Sequence, residues 1–166
     1  FLNRFDGVIL FKPLTEEDLA NMSPEQLREL QRKNCIFCHI ISGNVQSKKV
    51  YEDDKCMAIL DINPANPGHM LVLTKEHQSI MQHIPDETVR HLGMVSKALS
   101  VMSERVLKSS GTSIFVANGV VAGQRAQHFM MHVIPRVQND GVGLVLPRNA
   151  VDVVEVRTAI SPLVET

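Results

Sequence analysis

"GQRAQHFMMHVIPR", residues 123 to 136, sets a glycine-containing entry before an apolar run that carries two histidines four positions apart. Read as a strand, its side chains alternate between faces. His128, Met130 and His132 then share one side, and Phe129, Met131 and Val133 share the other. A methionine flanked by two histidines on one face can be catalytic, metal-binding or only structural, and the rest of the chain has to decide between these.

Working outward, "SIFVA" at 113–117 reads as a neighbouring strand joined to this one by the glycine-containing loop "NGVVAGQRA". Before it, Val89, Leu92, Val95, Leu99, Met102 and Val106 recur at three- and four-residue spacing between Asp86 and Ser109, which predicts a long amphipathic helix with Gly111 as its C-cap glycine. Further back, strand-like stretches lie near "KVYEDD", "CMAILD" and "HMLVLT", separated by the turn signals "DDK" and "NPANPG"; they suggest an antiparallel meander, preceded by a short helix near "CIFCHIISG". Residues 1–34 differ. "LTEEDLANMSPEQLRELQRKN" offers helix starts at Thr15 and Ser23, with Pro24 at the first helical position, and Leu14, Leu19, Met22, Leu27 and Leu30 are too few for a separate core. The expectation is an α+β domain over 35–147 with a sheet of about five antiparallel strands and one long helix, an N-terminal helical arm over 1–34, and a C-terminal tail over 148–166.

The 166 residues suit one domain, and Lys+Arg 17 against Asp+Glu 18 gives a formal charge of -1, so no basic excess argues for nucleic acid. No apolar run approaches the roughly 20 residues needed to span a bilayer. The opening "FLNRFDGVILFKP" lacks the features of a signal peptide, so a soluble, cytoplasmic protein with no membrane partner is expected. Three cysteines, two of them in a C-x-x-C, fit a reducing compartment better than a disulfide framework.

Cys35 and Cys38 have the spacing that lets two thiolates reach one tetrahedral ion, although a redox pair or two packing cysteines share that spacing. His69, His77, His128 and His132 are the histidines that could join them; His83 and His91 fall in or near helical, polar surroundings.

From Cys35 to Arg136 the sequence resembles the histidine triad (HIT) family of nucleotide-binding and nucleotide-hydrolysing proteins. The resemblance rests on "CIFCHIISG", "KVYEDDKCMAILDINPANPGHMLVLTKEH" and "GQRAQHFMMHVIPR", which occur in the family's order. The family's last motif alternates histidine with apolar residues, and its three histidine positions fall on His128, Met130 and His132. The resemblance therefore implies that the nucleophile position holds Met130. It further implies a structural zinc on Cys35, Cys38, His77 and His128, a two-sulfur, two-nitrogen set with no open position for water. It assigns Asp61 to the ribose hydroxyls, and Phe37, Leu60 and Ile62 to apolar surface near a purine. Gly123 and Gln124 would offer a backbone N–H and an amide to phosphate. Two departures cluster there: Arg125 stands where the family often has serine, and its guanidinium would hold phosphate without cleaving it, while Ala117 stands where the family has asparagine, which leaves the adjacent Asn118 as the expected nucleotide contact.

Three functions follow as expectations. The first is a zinc-bearing protein that binds a nucleoside monophosphate or its conjugate with little hydrolysis, since a thioether cannot shuttle a proton. The second is an active phosphoester or phosphoramidate hydrolase, or nucleotidyl transferase, working through His132. The third is a dimeric scaffold with a vestigial pocket. The resemblance also implies a homodimer built by continuing the sheet and pairing the long helices.

Overall fold

A computed structural model describes residues 21–143 and 153–164. The helix start at Thr15 and its neighbours Leu14 and Leu19 lie outside those residues. The start at Ser23 forms as its sequence dictates. Helix α1 spans Pro24–Lys33, the Ser23 hydroxyl accepts the Gln26 N–H, and the Gln26 side chain accepts the Ser23 N–H in return. A short helix α2, Ile36–Ile41, follows with Cys35 at its N-cap.

Strands β1 (Lys49–Glu52), β2 (Cys56–Leu60) and β3 (Met70–Thr74) form the expected meander, and β4 (Gly111–Phe115) and β5 (Met130–Arg136) complete one sheet in the order β1-β2-β3-β5-β4 with every pair antiparallel. Between β3 and β4 runs the long helix α3, Asp86–Leu107. A last helix α4, Val153–Val164, occupies most of the tail, for which the sequence had suggested no element.

The pleat divides the sheet into two faces. Cys56, Ala58, Met70, Val72, Met131 and Val133 point toward α3 and pack with Leu92, Val95 and Leu99. On the opposite face Met57, Ile59, Leu71 and Leu73 pack with Phe37, Ile40 and Ile41 of α2 and with Met130. The two-residue alternation predicted for 128–133 therefore holds, although hydrogen-bonded strand begins at Met130, two residues beyond His128.

Two details of α3 differ from expectation. Met102 and Val106 continue the apolar spacing but face outward, Val106 being 68% exposed, while Leu92, Val95 and Leu99 carry the buried stripe. The C-cap is Lys108, in the left-handed conformation at φ 56, and Gly111 instead opens β4. The chain turns out of the helix immediately at Leu107, so the strained position falls three residues before the glycine that spacing had suggested.

Several polar ties hold the loops. Asp53 accepts the N–H groups of Lys55 and Cys56 and the Tyr51 hydroxyl, and it lies 2.5 Å from His91 Nε2, which pins the β1–β2 turn to α3. Arg136 grips Asp140 through two nitrogens at 2.7 and 2.8 Å, and the Asn66 amide donates to both Asp140 and the Pro135 carbonyl. That tie fixes the β2–β3 loop against the end of β5. At Gly68, φ is +82, a left-handed conformation that favours glycine, and a Cβ there would have to displace the flexible end of the half-exposed Leu107 side chain, whose Cδ1 would lie 2.2 Å away.

Candidate functional site

Two side-chain clusters involve residues flanking or following the face that carries α2. The first joins Cys35 and Cys38, which one helical turn presents together, to His77 after β3 and His128 before β5. Cys38 Sγ lies 3.2 Å from His77 Nδ1 and 3.7 Å from His128 Nδ1, Cys35 Sγ lies 3.5 Å from the same His128 nitrogen, and all four ligand atoms fall within 4.8 Å of one another. An ion with bonds of about 2.0–2.3 Å in tetrahedral array separates its ligands by roughly 3.3–3.8 Å. The cluster therefore has the dimensions of a metal cage.

Its electrostatics agree with that reading. His128 Nε2–H donates to the Thr74 carbonyl at 2.8 Å, which leaves the lone pair of Nδ1 facing both sulfurs. Burial holds the His128 pKa down at about 4 despite that hydrogen bond, and burial with the nearby Arg32 lowers His77, so both rings are neutral as ligation requires. Burial first, and then the neighbouring Cys35, push the Cys38 thiol up to about 12. A cation between the two sulfurs would reverse that penalty by favouring thiolate. Among the described residues the buried Nε2 of His77 has no hydrogen-bond partner.

The second cluster joins Asp61, His69 and His132. His69 is 5% exposed; its Nε2 lies 3.0 Å from His132 Nδ1, while its Nδ1 accepts the Ala65 N–H at 3.1 Å and sits 3.5 Å from Asp61 Oδ2. Burial lowers the pKa of both imidazoles, and the proximity of His69 lowers His132 further. Phe115 stacks obliquely on His132 with ring centroids 5.8 Å apart. Met130 follows His128 and precedes His132 on the shared strand face and packs, like Phe37, Ile40 and Ile41, against the buried Met57, Ile59, Leu71 and Leu73.

Other residues expected at a nucleotide pocket are distributed unevenly. Asp61 caps its own turn through Oδ1, which accepts the Asn63 N–H, and keeps Oδ2 toward His69. Ile62 is 94% exposed beside it. Leu60 is a correction: it pairs with Met70 across the sheet and so shares the α3 side of the pleat, whereas Ile59 is the β2 residue on the α2 side. Gln124 is a second correction, because its side-chain oxygen accepts the Gly119 N–H and its amide nitrogen donates to the Ser79 and Ala126 carbonyls, which spends its hydrogen bonds on the loop itself. Asn118 is a third, with its oxygen accepting the Met81 N–H and its nitrogen donating to Gln82. Gly123, at φ 90, is exposed at the entry to β5, but the N–H expected to face phosphate donates to the Val120 carbonyl at 2.9 Å; Arg125 is exposed beside it.

His69 is the residue that the sequence reading left out of the pocket. The signal was present in parity: residues 69, 71 and 73 alternate with 70 and 72, and Leu71 and Leu73 face α2.

Residues 42–139 match the HIT domain family. Among curated relatives, an uncharacterized HIT-like protein of Borreliella burgdorferi is 44% identical over 112 residues, spanning 66% of this chain and 81% of that protein. The adenosine 5'-monophosphoramidase HNT1 of Candida albicans is 32% identical over 124 residues, spanning 72% and 82%. Among solved structures, a zinc-bound histidine triad family protein from Mycobacterium smegmatis superposes with a TM-score of 0.65 at 31% identity, covering 81% of this chain and 98% of that one.

Proposed function

This chain belongs to the HIT family, and we propose that within it the protein binds a purine nucleoside monophosphate, or a conjugate of one, and hydrolyses it slowly or not at all. One observation carries the reading: Met130, with no ionisable group, occupies the strand position between His128 and His132 on the face that also bears Phe37, Ile59 and Leu71. A thioether there can neither accept a phosphoryl proton nor form the covalent nucleotidyl intermediate that a histidine would. Asp61 would accept from ribose hydroxyls through Oδ2. Phe37, Ile59 and the exposed Ile62 would cover the base, with Arg125 and His132 toward the phosphate. The activity named for the Candida albicans relative, a monophosphoramidase, makes adenosine phosphoramidate the substrate to try first.

Cys35, Cys38, His77 and His128 would hold a zinc ion, supported by the cage dimensions and by the neutral, correctly turned His128. Such an ion supplies folding energy, tying α2 to the start of β5, and takes no part in the reaction. The protein would act as a homodimer, a reading supported by the outward-facing Met94, Met102 and Val106 on α3 together with Ile114 and Phe115 on the edge strand β4.

Titration calorimetry with AMP, coupled to turnover measured with adenosine 5'-phosphoramidate, tests the proposal. Saturable AMP binding with turnover far below one per second is expected. Turnover at ordinary enzyme rates that His132→Ala abolishes would establish hydrolysis through His132, and no binding at millimolar AMP would leave the scaffold reading.

A further inference from the structure

The β1–β2 turn carries a third group of metal-binding side chains, and the nucleotide reading makes no use of it. The Asp53 N–H donates to the Cys56 carbonyl at 3.0 Å and closes a loop of only two residues, Asp54 and Lys55. Residues on either side of so short a loop are neighbours across the hairpin, and His91 reaches them from α3. One ligand atom each from Asp53, Cys56 and His91 falls within 4.8 Å of the other two. Lys55, inside the loop, pairs with Glu87, one helical turn before His91, so loop and helix are clamped in register.

Each ligand is prepared by its surroundings. Asp53 Oδ1 accepts the N–H groups of Lys55 and Cys56 at 2.9 and 2.8 Å, which leaves Oδ2 to meet His91 Nε2 at 2.5 Å. The Tyr51 hydroxyl also donates to Oδ2, at 2.7 Å, and helps hold it in place. The side chains of Asp53 and His91 are 19% and 32% exposed, so solvent reaches the pair, while Cys56 is fully buried on its inner side. Burial first, and then the charge of Asp53, push the Cys56 thiol up to about 12, a penalty that a bound cation would reverse. The neighbouring lysines are engaged elsewhere, Lys55 by Glu87 and Lys75 by Glu52.

We propose that Asp53, Cys56 and His91 form a second, exchangeable site for a zinc-class divalent cation, with a carboxylate, a thiolate and an imidazole as protein ligands and water in the fourth position. A sulfur and a nitrogen beside one oxygen suit a borderline metal, whereas calcium and magnesium take oxygen ligands. Bonds of about 2.0–2.3 Å need roughly 3.3 Å between ligands, so the ion opens the Oδ2–Nε2 contact by somewhat under 1 Å, a movement open to the part-exposed His91 ring. Binding releases the Cys56 thiol proton to solvent and moves the imidazole hydrogen off Nε2. Three protein ligands, one of them deprotonated against burial, hold an ion less tightly than the closed four-ligand cage. The site therefore fills when metal is supplied and empties on dialysis.

Cobalt(II), added to the purified full chain as isolated, reads the site through the near-ultraviolet charge-transfer band of a cobalt–thiolate bond. The protein should take up one equivalent more at micromolar cobalt than its His91→Ala variant, with one thiolate's absorbance more, and added zinc should displace it. Cys56→Ala should lose the same equivalent and the same band. Both His91→Ala and the unsubstituted protein keep Cys35 and Cys38, so metal in the cage cancels from the difference. Equal uptake by the protein and a folded His91→Ala variant would overturn the proposal, as would an extra equivalent that lacks the thiolate band or binds only at millimolar cobalt. Should Cys56→Ala not fold, the comparison at the part-exposed His91 decides.

Discussion

Cys38 Sγ and His77 Nδ1 stand 3.2 Å apart although 39 residues separate them in the chain. An approach that close between a suppressed thiol and a neutral imidazole is what a shared cation would exploit. The purified, untagged protein is expected to carry close to one zinc per chain by elemental analysis. Cys38→Ser or His77→Ala should remove the metal and lower the melting temperature by at least about 5 °C, as loss of a few kcal/mol does for a chain this long. Metal-free protein with an unaltered melting curve would refute the cage.

Met130→His should restore a nucleophile and raise hydrolysis of adenosine phosphoramidate by about two orders of magnitude or more, the scale such residues command in other covalent mechanisms. The same change sets a polar ring against the apolar cluster of Met57, Ile59, Leu71 and Leu73, so a stability loss on the order of 1–3 kcal/mol should accompany it in chemical denaturation. An unchanged rate in a folded, AMP-binding variant would show that Met130 is not what limits the chemistry.

Light scattering at micromolar concentration should give about twice the 18.5 kDa chain mass. Val106→Glu, at an exposed helix position, should shift the population to monomer. A monomer in the unsubstituted protein would contradict the assembly reading.

Burial lowers the pKa values of His69 and His132 below the ordinary value of 6.5. The unfolded chain then binds protons that the folded chain refuses, so stability rises with pH. The contribution is fully present above about pH 6.5 and is lost as pH falls through the lowered folded-state values. Melting temperature should drop by roughly a few degrees between pH 7.5 and pH 5. His132→Gln should flatten part of that dependence, and a slope of equal size in the variant would assign it to other groups.

What could be read before the fold was known follows from which signals are local. The alternation of His128, Met130 and His132 against Phe129 and Met131 is a property of any strand, and it survived intact. The Ser23–Gln26 cap is equally local. Leu60 was misplaced because apolar character beside Asp61 says nothing of which way the pleat turns, and only the pairing of Leu60 with Met70 fixes its side. Gln124 and Asn118 were misread because a polar side chain in a loop can serve a ligand or the loop's own backbone. The choice depends on Ser79, Met81 and Gln82, which lie far away in sequence. His69 was missed for the same reason: its meaning comes from Ala65 and His132 together.

The bare α-carbon of Gly68 has a mechanical consequence. Leu107 Cδ1 occupies the space that a side chain at Gly68 would fill, and the next residue is His69, whose Nε2 lies 3.0 Å from His132 Nδ1. Leu107 also ends the helix whose outer side carries Val106. The bare α-carbon thus lets the C-terminal turn of α3 settle directly against the loop that leads into His69.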